Sequence, residues 1–200
     1  MKRLLNQIRN LTLGLLAGSF VFVHGSQAGM PGMRGSQHLG ITVPNVQEAV
    51  DFFVDVIGCE AFYSIGPFGP FEDDWMTVNL NVNEKAVIKI ATLVRCGNGP
   101  SLEVFEYTSP DQDAEPPQNS DIGGHHLAFY VDDMDAAVAY LKEQNVKVLG
   151  EPHTFTDTGM EGLTWVYFMS PWGMQLEIVS YPFGQGYERT TGSRMWDPRY

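Results

Sequence analysis

Over residues 38–43, Leu39, Ile41 and Val43 alternate with His38, Gly40 and Thr42. That period of two predicts a half-buried strand. The spacing then changes, and Val46, Ala49, Val50, Phe53, Val54 and Ile57 recur at helical steps. Asn45 and Glu48 suit the start of such a helix and Gly58 its end. Three strand-like runs follow, "CEAFYSI", "AVIKIATLVR" and "LEVFEY".

The pattern then repeats. Leu127, Phe129 and Val131 alternate with His126, Ala128 and Tyr130, and Asp133 can cap a helix carrying Met134, Ala137, Val138 and Leu141. The runs "VKVLG", "LTWVYFM" and "LEIVSY" complete the set. Through strand and helix the offset is a constant 88 positions, which signals duplication of one supersecondary unit. The last strands also share a skeleton, "GPSLEVFEY" at 99–107 and "GMQLEIVSY" at 173–181.

Gly/Pro-rich residues 66–74 and polar residues 108–123 read as loops. The chain therefore divides into a βαβββ module over 36–107, a linker over 108–123, a second βαβββ module over 124–182 and a tail over 183–200. The expected class is α+β, the tandem modules forming a curved, barrel-like mixed sheet around a cavity. Tyr187 and Trp196 predict that the tail docks on the body.

Strand alternation sorts the side chains by face. If Leu39 and Leu127 pack on the helices, His38 and His126 lie on the opposite, concave face, while His125 falls on the helix side. Glu103 shares a face with Phe105 and Tyr107, and Glu177 with Val179 and Tyr181. A carboxylate inside an apolar strand is costly unless paired, hydrogen-bonded or bound to a cation. Two histidines and two carboxylates facing one cavity make a nitrogen and oxygen site for a divalent ion. Thr42, Phe105, Tyr107 and Tyr130 are the candidate substrate contacts beside it. Glu106 is expected to face solvent, and His153 to lie in a loop-like stretch.

Composition changes the picture at the N-terminus. A cationic start, "MKRLLNQIRN", an apolar run over 11–23 and "SQA" at 26–28 follow the plan of a secretory signal peptide over 1–28. The apolar run is short for a bilayer span, which needs about 20 residues. The mature chain is expected to be periplasmic or secreted, with no membrane association. Its nine basic and 24 acidic residues give a net charge of −15. Such a surface disfavours nucleic acid and anionic lipid, and offers few cations for a CoA thioester. In an oxidising compartment Cys59 and Cys96 can bond to each other. Two separate buried thiols are the alternative.

The motifs "HLGITVPNVQEAVDFFVDVIG", "LEVFEY", "HHLAFYVDD" and "MSPWGMQLEIV" resemble the vicinal oxygen chelate superfamily over about 36–182. That group holds glyoxalase I, methylmalonyl-CoA epimerase, extradiol dioxygenases and the bleomycin-resistance proteins. The resemblance implies one divalent metal ion (Zn, Ni, Co, Fe or Mn) held by His38, Glu103, His126 and Glu177. It makes Glu177 the first candidate for catalytic base and Glu103 a ligand or second acid/base. All four positions are filled, which favours a glyoxalase I-like lyase or isomerase moving a proton on a small oxygenated substrate. Thr42 and Tyr107 stand where glutathione-dependent members carry a basic residue and an asparagine, which argues against a glutathione substrate. Tyr167, ten residues before Glu177, stands where ring-cleaving dioxygenases place an acid/base tyrosine, and that iron chemistry is one alternative. A metal-free binding protein for a hydrophobic molecule is another. Whether the four ligands meet within one chain or across a homodimer is open at this level.

Overall fold

The computed structural model describes residues 30–200, and the signal-peptide expectation for 1–28 lies outside the described residues. Residues 36–200 form one unit. In the first module, β1 (His38–Thr42) leads into α1 (Val46–Asp51), then β2 (Glu60–Ile65), α2 (Trp75–Leu80), β3 (Val87–Arg95) and β4 (Ser101–Thr108). The second runs β5 (Leu127–Tyr130), α3 (Met134–Glu143), β6 (Val148–Thr154), β7 (Thr164–Met169) and β8 (Gln175–Ser180), followed by α4 (Gly186–Thr191). The sheet orders are β1-β4-β3-β2 and β5-β8-β7-β6. In each, the first strand runs parallel to the last and the remaining pairs are antiparallel.

The α+β class and the tandem modules are as expected, but the two mixed sheets do not close into a barrel. Their helical faces meet instead. One apolar core takes Val46, Phe52 and Phe53 from the first module and Val138, Phe168 and Leu176 from the second. Trp172, in the β7–β8 turn, packs edge-on against Phe52 and Phe53 at 5.7 and 5.6 Å. The Tyr140 hydroxyl donates to the Val56 carbonyl at 3.1 Å. Fully buried rings such as Phe53 and Phe168 contribute roughly 1.5–3 kcal/mol each.

Asn45 and Asp133 accept from the backbone N–H of Glu48 and Ala136, capping α1 and α3 as the sequence predicts. The first helix changes form at Phe52 and continues as a π-helix to Ile57, ending at Gly58 with φ of 85°. Among the described residues none of the helices is long and apolar enough to cross a membrane.

Three local expectations need correction. Helix α2 follows the Gly/Pro stretch without an apolar period to announce it. His153 lies within β6, opposite Trp165, because β6 extends through Gly150 and Pro152. Glu106 is buried, not solvent-facing. The back of β4 lies under the start of α1, where the Glu106 carboxylate accepts from the Val46 N–H at 3.0 Å and pairs with Lys89. Both contacts hold its proton affinity below the usual carboxylate range, Lys89 most. Cys59 and Cys96 form a disulfide between the start of β2 and the end of β3.

Candidate metal and substrate site

The parallel pairing of first and last strands sets each histidine beside a glutamate. In the first module His38 Nε2 lies 3.4 Å from Glu103 Oε2. In the second, His126, one residue before β5, places Nε2 3.1 Å from Glu177 Oε2. The predicted set is thus brought together as two pairs. Among the described residues no three histidine, cysteine or acidic side chains gather closely enough to share an ion.

The pairs differ in surroundings. Burial raises the proton affinity of Glu177, and the adjacent His126 opposes the shift. Tyr167 stands across the β7–β8 ladder from Glu177, its ring edge-on to His126 at 5.1 Å. Burial first, and the Glu177 charge second, push the Tyr167 hydroxyl up, so at neutral pH it is a proton donor. An aromatic row continues from Tyr167 through Trp165 to His153 and Phe155. The side-chain amide of Asn119 lies 3.3 Å from His126 Nδ1. A partner on one ring nitrogen orients the other toward a metal. Asn119 comes from the polar linker, and no sequence signal marks it.

In the first module the concave face opens beyond the His38–Glu103 pair into a cavity of about 940 Å³. Thr42, Phe105 and Tyr107 line it as predicted, opposite Asn83, Lys85 and Asp111. These last residues sit in loops, and sequence reasoning missed them because nothing periodic ties them to the sheet. Burial, then the Glu103 charge, push Tyr107 up, so its hydroxyl too stays protonated. Tyr130 is on the expected face but is not bare, since Arg199 from the tail lies 5.1 Å over its ring. His125 turns away and donates to the Gly123 carbonyl at 3.0 Å.

Tandem βαβββ modules, each carrying a histidine beside a strand glutamate, place the chain in a class built on that duplicated fold. The chain belongs to the Glyoxalase/Bleomycin resistance protein/Dioxygenase superfamily, whose sequence pattern matches residues 37–163. It is 47% identical over 171 residues to a 2-epi-5-epi-valiolone epimerase from Actinomyces sp., covering 85% of this chain and 92% of that protein. It is 26% identical over 148 residues to the mitochondrial methylmalonyl-CoA epimerase of Dictyostelium discoideum, covering 74% and 78%. A glyoxalase family protein from Bacillus cereus shares the fold, with a TM-score of 0.57 at 16% identity, covering 76% of this chain and 98% of that one.

Proposed function

We propose that the protein is an exported, metal-dependent epimerase acting on a small hydroxylated ketone of the type that names its Actinomyces relative. The observation that carries this reading is the similarity to that relative across 85% of the chain. The site's chemistry agrees with it. Inverting one carbon requires that a proton leave one face and return on the other, and two carboxylates at repeat-related positions answer that need. Glu177, with proton affinity raised by burial, suits the role of base. Glu103 serves the opposite face, and Tyr167 and Tyr107, both held protonated, donate hydrogen bonds to substrate oxygens.

His38, Glu103, His126 and Glu177 supply the donor set that a divalent ion of the Mn-to-Zn series accepts, and among the described residues neither carboxylate pairs with a lysine or arginine, which leaves room for such a cation. When bound, the ion would act as a Lewis acid on the carbonyl oxygen. The cavity lined by Thr42 and Tyr107 also offers Asn83, Lys85 and Asp111, polar groups that a hydroxylated substrate can engage. Export rests on the leader pattern in 1–28.

The test is to incubate the chain from residue 29, loaded with Mn, Fe, Co, Ni or Zn in turn, with 2-epi-5-epi-valiolone in deuterium oxide. Appearance of an epimer carrying one deuterium supports the reading. No exchange with any of the ions would sink it, and oxygen uptake with catechols would point to ring cleavage instead.

A further inference from the structure

The two histidines differ in what faces their Nδ1 atoms. His38 Nδ1 meets the side-chain carbonyl oxygen of Gln37. That oxygen only accepts, so Nδ1 carries the proton of the neutral ring and Nε2 keeps its lone pair. His126 Nδ1 instead meets the side-chain nitrogen of Asn119 at 3.3 Å, and an amide nitrogen only donates. On the other side of the ring, Nε2 lies 3.1 Å from Glu177 Oε2, and an ionised carboxylate only accepts. One form of the ring meets both contacts, the neutral one with its proton on Nε2. Ligation of a metal through Nε2 needs the other form, with the proton on Nδ1. His38 is therefore set to receive an ion, whereas His126 is closed onto Glu177.

The turn before β5 fixes Asn119 beside the ring. The Gln118 N–H donates to the Asp121 carboxylate at 2.8 Å, the Asp121 N–H to the Gln118 carbonyl at 3.0 Å, and the Gly124 N–H to the Asp121 carbonyl at 2.8 Å. A β-carbon on Gly124 would collide with the Gln118 carbonyl oxygen, so the turn closes this tightly only around glycine. The His125 ring is tied to the Gly123 carbonyl and does not compete for Asn119. The last torsion of the Asn119 side chain stays free. Half a turn about it brings Oδ1 to the place of the nitrogen with the backbone unmoved.

We propose that Asn119 is a positioning residue that sets the tautomer of His126. With its nitrogen toward the ring, it holds the Nε2–H form, which engages the Glu177 carboxylate while no ion is bound. With Oδ1 toward the ring, it accepts from Nδ1–H and leaves Nε2 and Glu177 both free to ligate. A proton leaves Nε2 for solvent and one returns at Nδ1, so the ring stays neutral throughout. Only a side chain that carries a donor and an acceptor on one rotor serves both forms. This role rests on the four-ligand reading above.

The test is nitrogen NMR of the protein labelled at its histidine rings, metal-free and at about pH 9, well above the ordinary histidine pKa of about 6.5. Wild-type His126 should be protonated on Nε2. Asn119→Asp, whose carboxylate only accepts, should move that proton to Nδ1 and leave the His38 signals in place. Zinc titration then reads affinity. Asn119→Leu should bind zinc about 10-fold more weakly, the low end of the usual range for an outer contact, because the position is exposed. Asn119→Asp should bind at least as tightly as wild type, a rescue that a role in the shape of the linker alone would not give. A wild-type proton on Nδ1, an Asn119→Asp variant that leaves it on Nε2, or equal zinc affinity in all three proteins overturns the role of Asn119 and leaves the four-ligand reading standing. A wild type that takes up no zinc overturns the four-ligand reading, and the exchange of tautomers with it.

Discussion

The side chains of His38 and Glu103 keep 47% and 30% of their surface exposed, whereas those of His126 and Glu177 keep 36% and 12%. The two carboxylates occupy equivalent strand positions, yet Glu103 faces Leu93 across the ladder and Glu177 faces Tyr167. Tyr107 lines an open cavity, while its counterpart Tyr181 is buried beneath Arg199. Duplication kept the backbone and let the neighbours diverge. The second module supplies an enclosed carboxylate whose proton affinity burial raises, and the first supplies an open pocket beside a more accessible one.

The largest effect should come from equalising the carboxylates. Glu177→Gln and Glu103→Gln should each lower interconversion of epimers by roughly 10²–10⁴-fold, the usual worth of a positioned acid/base group. If each serves one face of the carbon, each variant should still exchange solvent deuterium into one epimer, and a different one. Both variants losing exchange into the same epimer would show that the faces are not divided between the modules.

A second difference is covalent. Only the first module carries a disulfide, closing a sequence separation of 37 residues. On the chain-entropy account a loop of that size is worth about 3–4 kcal/mol. Replacing both cysteines with serine should lower stability to denaturant by about that amount. Hydrogen exchange should lose protection mainly in β2 and β3 and leave β6 and β7 nearly unchanged. Equal loss in both would mean that the shared core makes the modules one cooperative unit.

How much of this was legible in the chain follows from the same contrast. The regular elements were, because a buried face imposes a period, and so were the matched places of His38 and His126, 88 positions apart, and of Glu103 and Glu177, 74 apart, because the repeated unit writes each twice. What the helices pack against was not, since their apolar stripes read alike whether the sheets join at their edges or the helical faces meet. Asn119, Asn83 and Asp111 were hidden in irregular loops, whose positions depend on tertiary contacts. Glu106 misled because alternation shows that it turns away from Glu103 but not that α1 begins above it.

Glu106 offers a smaller test. Its carboxylate holds the α1 N-terminus and Lys89, whereas the equivalent position in the second module is Ser180, which is uncharged. Glu106→Gln should cost about 2 kcal/mol at neutral pH, less than a fully buried pair because Lys89 is half exposed. The folded-state proton affinity is lowered, so this contribution is complete above the unfolded-state pKa of about 4.3 and is lost as pH falls through the folded value. Chemical denaturation at pH 6 and pH 3 should show the gap between wild type and variant shrinking. A gap that stays constant would mean that a neutral amide at this position replaces the carboxylate's contacts and the charge contributes little.

The smallest expected effect concerns the tail, which has no counterpart in the first module. Arg199 lies 5.1 and 5.0 Å over Tyr130 and Tyr181, is fixed by Asp197, and donates to the Tyr181 and Pro182 carbonyls at 3.2 Å. A few residues earlier, Trp196 Nε1 donates to the Asn98 carbonyl at 3.1 Å, fastening the tail to the first module. Arg199→Ala should cost about 1 kcal/mol, and Arg199→Lys should recover only part of it, because an ammonium keeps the charge but not the planar fork. Tyr181 is pushed up chiefly by burial and then by the Asp197 charge, and both influences leave if the tail lifts. Its ionisation, followed by ultraviolet absorbance, should therefore move down toward the ordinary tyrosine value of about 10. That shift would make Tyr181 resemble a solvent-washed Tyr107, so an unchanged titration in Arg199→Ala would mean that strand packing, and not the tail, encloses the second module's face.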